Sequence, residues 1–399
     1  MTNTVGAGSA QDPEPAHGSQ SQPSSGAAQT SPATASGTAG ENAKKPRARA
    51  GGVLSGILTY SLVLVCALVP VPYLLQMPGP VVNTLEPVDG KDLITISGTE
   101  TYEADGQLDM LTVAVAGGPG KKVYASEALR SVISRTQTVV PNETFYPLTT
   151  TREDVSGENT AQMASSQDTA TAAALGELGI DYSSVTTVAE VVADSPADGH
   201  VEPGDEILSI DGTDVAGDPE AASAVAAAVT EADGTVELGL LRGEEEMSVE
   251  LEPTPVHGKK MIGISMQQSF DFPFDVTFNV EDIGGPSAGM VFALTIIDEL
   301  TPGNLTGGVP IAGTGAIEAD GTVTPIGGAR QKVSAASDAG AEYFLSPRDN
   351  CAEVLDAAAS TDLHVVRIDT LSDAHTAVKD IAAGNTDSLP QCDASQGAH

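Results

Sequence analysis

The sequence predicts a mixed α/β protein: an α/β domain over residues 257–385 and a small β-rich module over 183–256, preceded by one apolar helix and a polar tail. Three observations predict it. Residues 262–385 alternate short β-branched runs with Ala-rich helical runs. Residues 183–254 follow a strand, strand, helix, strand, strand order. Residues 50–85 hold no charged side chain at all.

Residues 1–50 are rich in Ser, Gly, Ala, Pro, Gln and Thr and show no apolar period. Such a composition cannot offset the entropy of ordering, so a disordered tail is expected. Lys44, Lys45, Arg47 and Arg49 then precede an apolar run that, counted to Gln76, exceeds the roughly 20 residues a bilayer-spanning helix needs. A transmembrane helix over 51–77 is expected, with Pro70 and Pro72 marking its outer end. The basic flank places the N-terminal end in the cytoplasm. Everything after Met77 is then expected outside, on a single-pass anchor in the cytoplasmic membrane. Fifty residues precede the apolar run and no A-x-A site follows it, which disfavours a cleaved signal peptide. Leu64 and Val65 stand where a lipid anchor on Cys66 would need small residues.

The formal charge of −37 is unevenly placed: residues 1–50 carry four basic and three acidic side chains, so the acidity belongs to the chain after Leu85. That surface repels phosphate backbones and excludes nucleic-acid binding as a function class. No CxxC pair or Cys/His cluster points to a metal, and no cofactor is expected. Cys351 and Cys392 share the exported portion and are expected to pair, tying down the tail 386–399; two unrelated thiols are the alternative.

Residues 78–182 read as strands near 93–97 and 111–115, with a turn at Ala104-Asp105-Gly106, followed by helices near 126–134 and 157–178. In the β-rich module, Ser195-Pro196-Ala197-Asp198-Gly199 leads to Gly204-Asp205-Glu206-Ile207-Leu208-Ser209-Ile210-Asp211-Gly212, then to a helix over 219–230 and strands over 235–242 and 247–251. This run resembles the bacterial PDZ pattern. The resemblance implies an open sheet edge beside a helix, where an extended peptide of a protein substrate joins as a strand. Gly179-Ile180-Asp181-Tyr182 is the nearest counterpart of the glycine loop that captures a terminal carboxylate in PDZ domains. A PDZ fold serving only as a spacer is the alternative.

Chemistry concentrates in Gly284-Gly285-Pro286-Ser287-Ala288-Gly289, which follows a strand expected over 276–280 and opens a buried helix expected over 287–300. N–H groups at a helix start lack intrahelical acceptors and are positively biased, so a serine there combines a nucleophile with donors for an oxyanion. Small neighbours, Gly285 and Ala288 among them, leave room for a substrate carbonyl. The run also fits G-x-S-x-G, which would call for a downstream histidine. His364 falls within an apolar strand, His375 at a polar helix start, and His399 at the last position, so structural or solvated roles suit them better. Lys332 lies in the first turn of a helix expected over 329–339, beside Val333, Ala335 and Ala336; burial there would strip its proton and make it a base. A hairpin is expected between 311–317 and 321–326, then strands over 343–346 and 363–368 and helices over 351–359 and 371–382.

GGPSAGM at 284–290, IAGTGAIEADGTVTPIGG at 311–328 and TPIGGARQK at 324–332 together resemble the proteolytic domain of the Lon family. The resemblance implies a Ser-Lys dyad of Ser287 and Lys332, with Thr314 contacting the lysine amine. Gly284 and Ala316 depart from the acidic residues usual in that family. There is no G-x-x-x-x-G-K-[ST] element: Gly117-Gly118-Pro119-Gly120-Lys121-Lys122 lacks both the spacing and the hydroxyl, so ATP hydrolysis is not expected. With the apolar run and the PDZ pattern, the chain resembles membrane-anchored proteases of the YlbL type. The resemblance implies an ATP-independent serine endopeptidase acting outside the membrane on membrane or secreted proteins, with strands of 83–125 completing the catalytic sheet and homo-oligomerisation a further expectation. An inert PDZ adaptor and a His-dependent hydrolase are the rival readings.

Overall fold

The computed structural model describes residues 48–393 apart from 89, 148, 257 and 281–283, with side chains from residue 55 onward. The expected tail over 1–50 therefore falls almost wholly outside the described residues, as does His399.

A six-stranded sheet organises the protein. Its strands lie in the order His364–Ile368, Tyr343–Pro347, Ile311–Gly313, Leu108–Ala116, Tyr73–Asn83 and Thr138–Pro141. The first four run parallel, and Tyr73–Asn83 is antiparallel to both of its neighbours. Strands from either side of the β-rich module thus share one sheet, and the module is an insertion within the α/β domain. The sheet is covered on both faces. Because side chains alternate along a strand, Leu108 and Met110 enter one core while Leu111 enters the other. The first core is filled by the helix Gly289–Leu300, buried throughout 289–298, with the helices Leu371–Ala382 and Arg152–Leu178. The second is filled by the helices Ala329–Ala339 and Cys351–Ala358.

Local sequence explains where these helices begin and end. Thr151 and Asp154 form a reciprocal capping box at the start of Arg152–Leu178, and Thr370 and Asp373 form another at Leu371–Ala382. Gly179 and Gly340 end their helices in the left-handed conformation that glycine adopts without a Cβ penalty.

The inserted module is a sheet in the order Glu245–Leu251, Val236–Arg242, Glu206–Ile210, Ser183–Val191 and Ile264–Asp271, with the helix Ala221–Glu231 packed on it. Val188, Ile207, Val225, Leu238 and Leu240 form its core. Asp205, only 1% exposed, accepts bonds from Arg242 and from the Glu202 N–H. Those bonds, chiefly the one from Arg242, hold its carboxyl below the usual range.

Three expectations need correction. The span expected over 51–77 is divided: the helix Ala48–Ala67 stops before Pro70, and Leu74 and Leu75, 1% and 4% exposed, belong to the strand Tyr73–Asn83. Hydropathy cannot tell a lipid-facing residue from a core strand residue, and the two prolines break the helix between them. Among the described residues, no helix is long and apolar enough to cross a membrane. The module boundary drawn at 256 falls too early. Ile264–Asp271 pairs with Ser183–Val191 along its whole length, and Ile262 is buried in the module's core. The hairpin expected over 311–326 is also shorter, Ala316–Ile317 with Val323–Thr324, because Ile311–Gly313 is captured by the parallel sheet.

Cys351 and Cys392 form a disulfide with a Cα–Cα distance of 5.2 Å. It fastens the segment in which Pro390 O accepts from Arg367 N and Gln391 bridges Val366. The bridge closes a loop of 41 residues, so Cys392→Ser is expected to lower the unfolding free energy by about 2–4 kcal/mol, read from urea denaturation.

Candidate active site

The three residues singled out in the sequence meet beyond the C-terminal end of the short central strand Ile311–Gly313. Thr314 is the next residue; its N–H donates to Leu345 O, which fixes the backbone against the neighbouring strand. Ser287 arrives from one core, in the turn that opens the helix Gly289–Leu300. Lys332 arrives from the other, in the first turn of Ala329–Ala339, whose start is set by left-handed Gly328. Parallel α/β sheets expose such chain ends at the carboxyl edge of their strands, where helices from both faces converge.

Lys332 Nζ stands 2.7 Å from Ser287 Oγ and 2.9 Å from Thr314 Oγ1, and the Thr314 hydroxyl donates to Ser287 O at 3.0 Å. Lys332 is 1% exposed. Its burial pushes its pKa down to about 7. A substantial share of the amine, about half, is thus neutral near pH 7, while a free lysine would be protonated.

The turn carrying Ser287 is braced from several directions. Gly315 N donates to Ser287 O, and Met290 N donates to Gly315 O. The Ser166 hydroxyl donates to Pro286 O at 3.1 Å, and Gly285 N donates to Asn159 O. Gly285 takes a left-handed φ of +91°, which suits glycine, and a Cβ on Gly289 would lie 2.8 Å from Ile317 Cγ2. Ala288 is buried at the helix start. Its N–H and that of Ser287 stand where a helix leaves donors without intrahelical acceptors.

A cavity of about 490 Å³ opens beside the pair and is lined by Met110, Val113, Val115 and Met163 together with Ser287 and Lys332. Among the described residues, no histidine lines it. His375 instead pairs with Glu177 at 2.8 Å, and His364 lies against Tyr343, so neither serves this serine. Met163, Ser166 and Asn159 were not foreseen. They sit on the helix Arg152–Leu178, remote in sequence, and its Ala-rich pattern carries no signal for these contacts.

In the inserted module, Ile264–Asp271 is the outer strand beside the helix Ala221–Glu231. The glycine turn leading into that edge is at Gly263, with φ +82°; a Cβ there would fall 2.2 Å from Ser195 Cβ. Gly179-Ile180-Asp181-Tyr182, the expected counterpart, instead closes the long helix, and Tyr182 packs on Phe270 and Phe272.

Comparison with known proteins agrees with this architecture. Residues 281–378 match the Lon protease (S16) C-terminal proteolytic domain, and residues 166–252 match the PDZ domain. A Lon protease of Campylobacter concisus is 32% identical over 117 residues, which is 29% of this chain and 14% of that protein. A Lon protease 1 of Herpetosiphon aurantiacus is 37% identical over 87 residues, 22% of this chain and 10% of that protein. The chain thus matches only a small fraction of the length of these relatives. The solved PDZ domain of an SdrC-like protein from Listeria innocua is 25% identical, covering 21% of this chain and 92% of that structure, with a TM-score of 0.18. Two regions of this chain thus match known domain families: residues 281–378 the Lon-type proteolytic domain, and residues 166–252, overlapping the inserted module, the PDZ domain.

Proposed function

We propose that the protein is an ATP-independent endopeptidase in which Ser287 is the nucleophile and Lys332 the general base. The observation that carries this reading is the buried amine 2.7 Å from the serine hydroxyl. The neutral amine takes the Ser287 proton as Oγ attacks the scissile carbonyl carbon. The N–H groups of Ser287 and Ala288 receive the developing oxyanion. Collapse of the tetrahedral species breaks the C–N bond, and the Lys332 ammonium gives its proton to the departing amine. Water then attacks the acyl-enzyme, the amine again takes and returns a proton, and Ser287 is released. Thr314 holds the amine through its hydroxyl, and the methionine- and valine-lined cavity suits an apolar side chain next to the scissile bond.

The PDZ edge at Ile264–Asp271 gives the enzyme a place to hold an extended segment of a protein substrate by strand addition. Membrane attachment completes the reading. Leu62, Val63 and Val65 on the helix Ala48–Ala67 are 61–63% exposed, and such a row of solvent-facing aliphatic side chains is what a lipid environment would cover. The basic residues ahead of that helix favour a cytoplasmic N-terminus and a catalytic domain outside.

Ser287→Ala and Lys332→Ala are each expected to reduce peptide hydrolysis at least about 10³-fold while the thermal unfolding transition persists, as befits residues that act as one unit. Retained turnover in Lys332→Ala would defeat the dyad. Thr314→Val is expected to lower kcat by about 10–100-fold with KM little changed, because it loosens the amine without touching substrate. The active form is the neutral amine, so kcat/KM is expected to rise with pH, about tenfold per unit on the acid side, and to level off above about 7.

A further inference from the structure

The end of the catalytic sheet nearest the apolar helix carries an unusual group of side chains. Only Leu68 and Val69 separate the helix end at Ala67 from the strand Pro70–Val71. That strand pairs with Val123–Tyr124, and Ala125 N donates to Val69 O at 2.9 Å. Tyr73 is opposite Pro141, and Asn142 N donates to Pro72 O, so the short helix Asn142–Phe145 starts at the same place. The loop 117–122 closes over this end, since a Cβ on Gly117 would lie 2.7 Å from Tyr73 O and one on Gly118 3.3 Å from the Tyr146 ring. Lys121 and Lys122 on that loop are exposed.

Aromatic residues are only 4% of the chain, yet Tyr73, Tyr124 and Phe145 are 40%, 39% and 51% exposed around this single point. Within residues 110–146 the carboxylates are Glu127, which accepts the Tyr124 N–H as part of a helix cap, and Glu143, against the basic Lys121, Lys122, Arg130 and Arg135. This stretch is therefore net positive on a strongly acidic protein.

We propose that Tyr73, Tyr124 and Phe145, with Lys121 and Lys122, form a collar that seats the catalytic domain directly on the surface of a bilayer containing anionic lipid. The inference rests on the membrane attachment proposed above. The two-residue connection leaves no slack, so this end of the sheet stays beside the point where the helix leaves the lipid. Amphipathic aromatic rings partition to the headgroup level, and lysines there meet anionic headgroups. Seated this way, the domain has a fixed height and orientation, so the reach of the cleft to protein segments above the membrane is set by the fold rather than by a flexible stalk.

The test uses the full chain with Cys66→Ser in lipid nanodiscs of phosphatidylglycerol and phosphatidylcholine. An environment-sensitive fluorophore is attached at Phe145→Cys or, as a second site, Tyr124→Cys, with parallel labels at Leu62→Cys on the helix and Glu250→Cys on the PDZ domain. Lipids carrying a quencher near the headgroup are expected to quench the labels at 62, 124 and 145 and to spare 250. Lys121→Glu combined with Lys122→Glu is expected to at least halve quenching at 145 in anionic discs and leave 62 unchanged. Quenching at 62 with 124 and 145 behaving like 250 overturns the collar alone. No quenching at 62 overturns membrane attachment and the collar with it. Protection at 145 that follows the number of protein copies per disc, without lipid quenching, assigns the face to a second copy and also overturns the proposal.

Discussion

A lysine amine enclosed in protein, within hydrogen-bonding distance of two hydroxyls and, among the described residues, of no carboxylate, is the constraint to which the rest of the structure answers. Enclosing a potential charge without a partner is costly, and the cost falls when the proton leaves. The same burial that destabilises the ammonium makes the nitrogen a base. It requires a pocket dry enough to matter and a serine fixed near enough to use it. The two-faced sheet provides both, because the helices bearing Ser287 and Lys332 pack on opposite faces and meet only past the end of Ile311–Gly313.

That convergence depends on strands that lie far upstream. Leu108–Ala116 supplies one wall of the cavity and pairs with the strand Ile311–Gly313. The helix Arg152–Leu178 braces the turn carrying Ser287 through Ser166 and Asn159, and the chain runs from its C-terminal end into the first strand of the inserted module. Inserted module and Ser287 turn are therefore joined through one continuous helix. The module's edge strand returns to the α/β domain a short distance before Ser287, so the insertion is tied to the candidate active site at both of its ends.

Much of this was legible in the sequence because local chemistry and long-range packing agree there. Helices 329–339 and 371–382 have the expected limits, each set by a glycine or a capping threonine beside an apolar period. The Ser287, Thr314 and Lys332 motifs could be read because glycines crowd the turns that present them. What escaped notice depends on contacts between distant residues. Nothing local in Ile264–Asp271 says which sheet it joins, since strand alternation is satisfied equally by either domain. Met163 and Ser166 look like any residues of an Ala-rich helix until the fold brings Ser166 to Pro286 O and Met163 to the cavity beside Ser287. Leu74 and Leu75 read as an extension of the apolar run because burial in a sheet and burial in lipid select the same side chains.

The most direct measurement is an NMR titration of the Lys332 ε-carbon in protein carrying labelled lysine, assigned by its loss in Lys332→Met. An apparent pKa of about 7 would agree with a buried neutral base in contact with Ser287. Titration near the free-lysine value of about 10.4 would show an amine that keeps its proton at neutral pH, and would contradict the catalytic account.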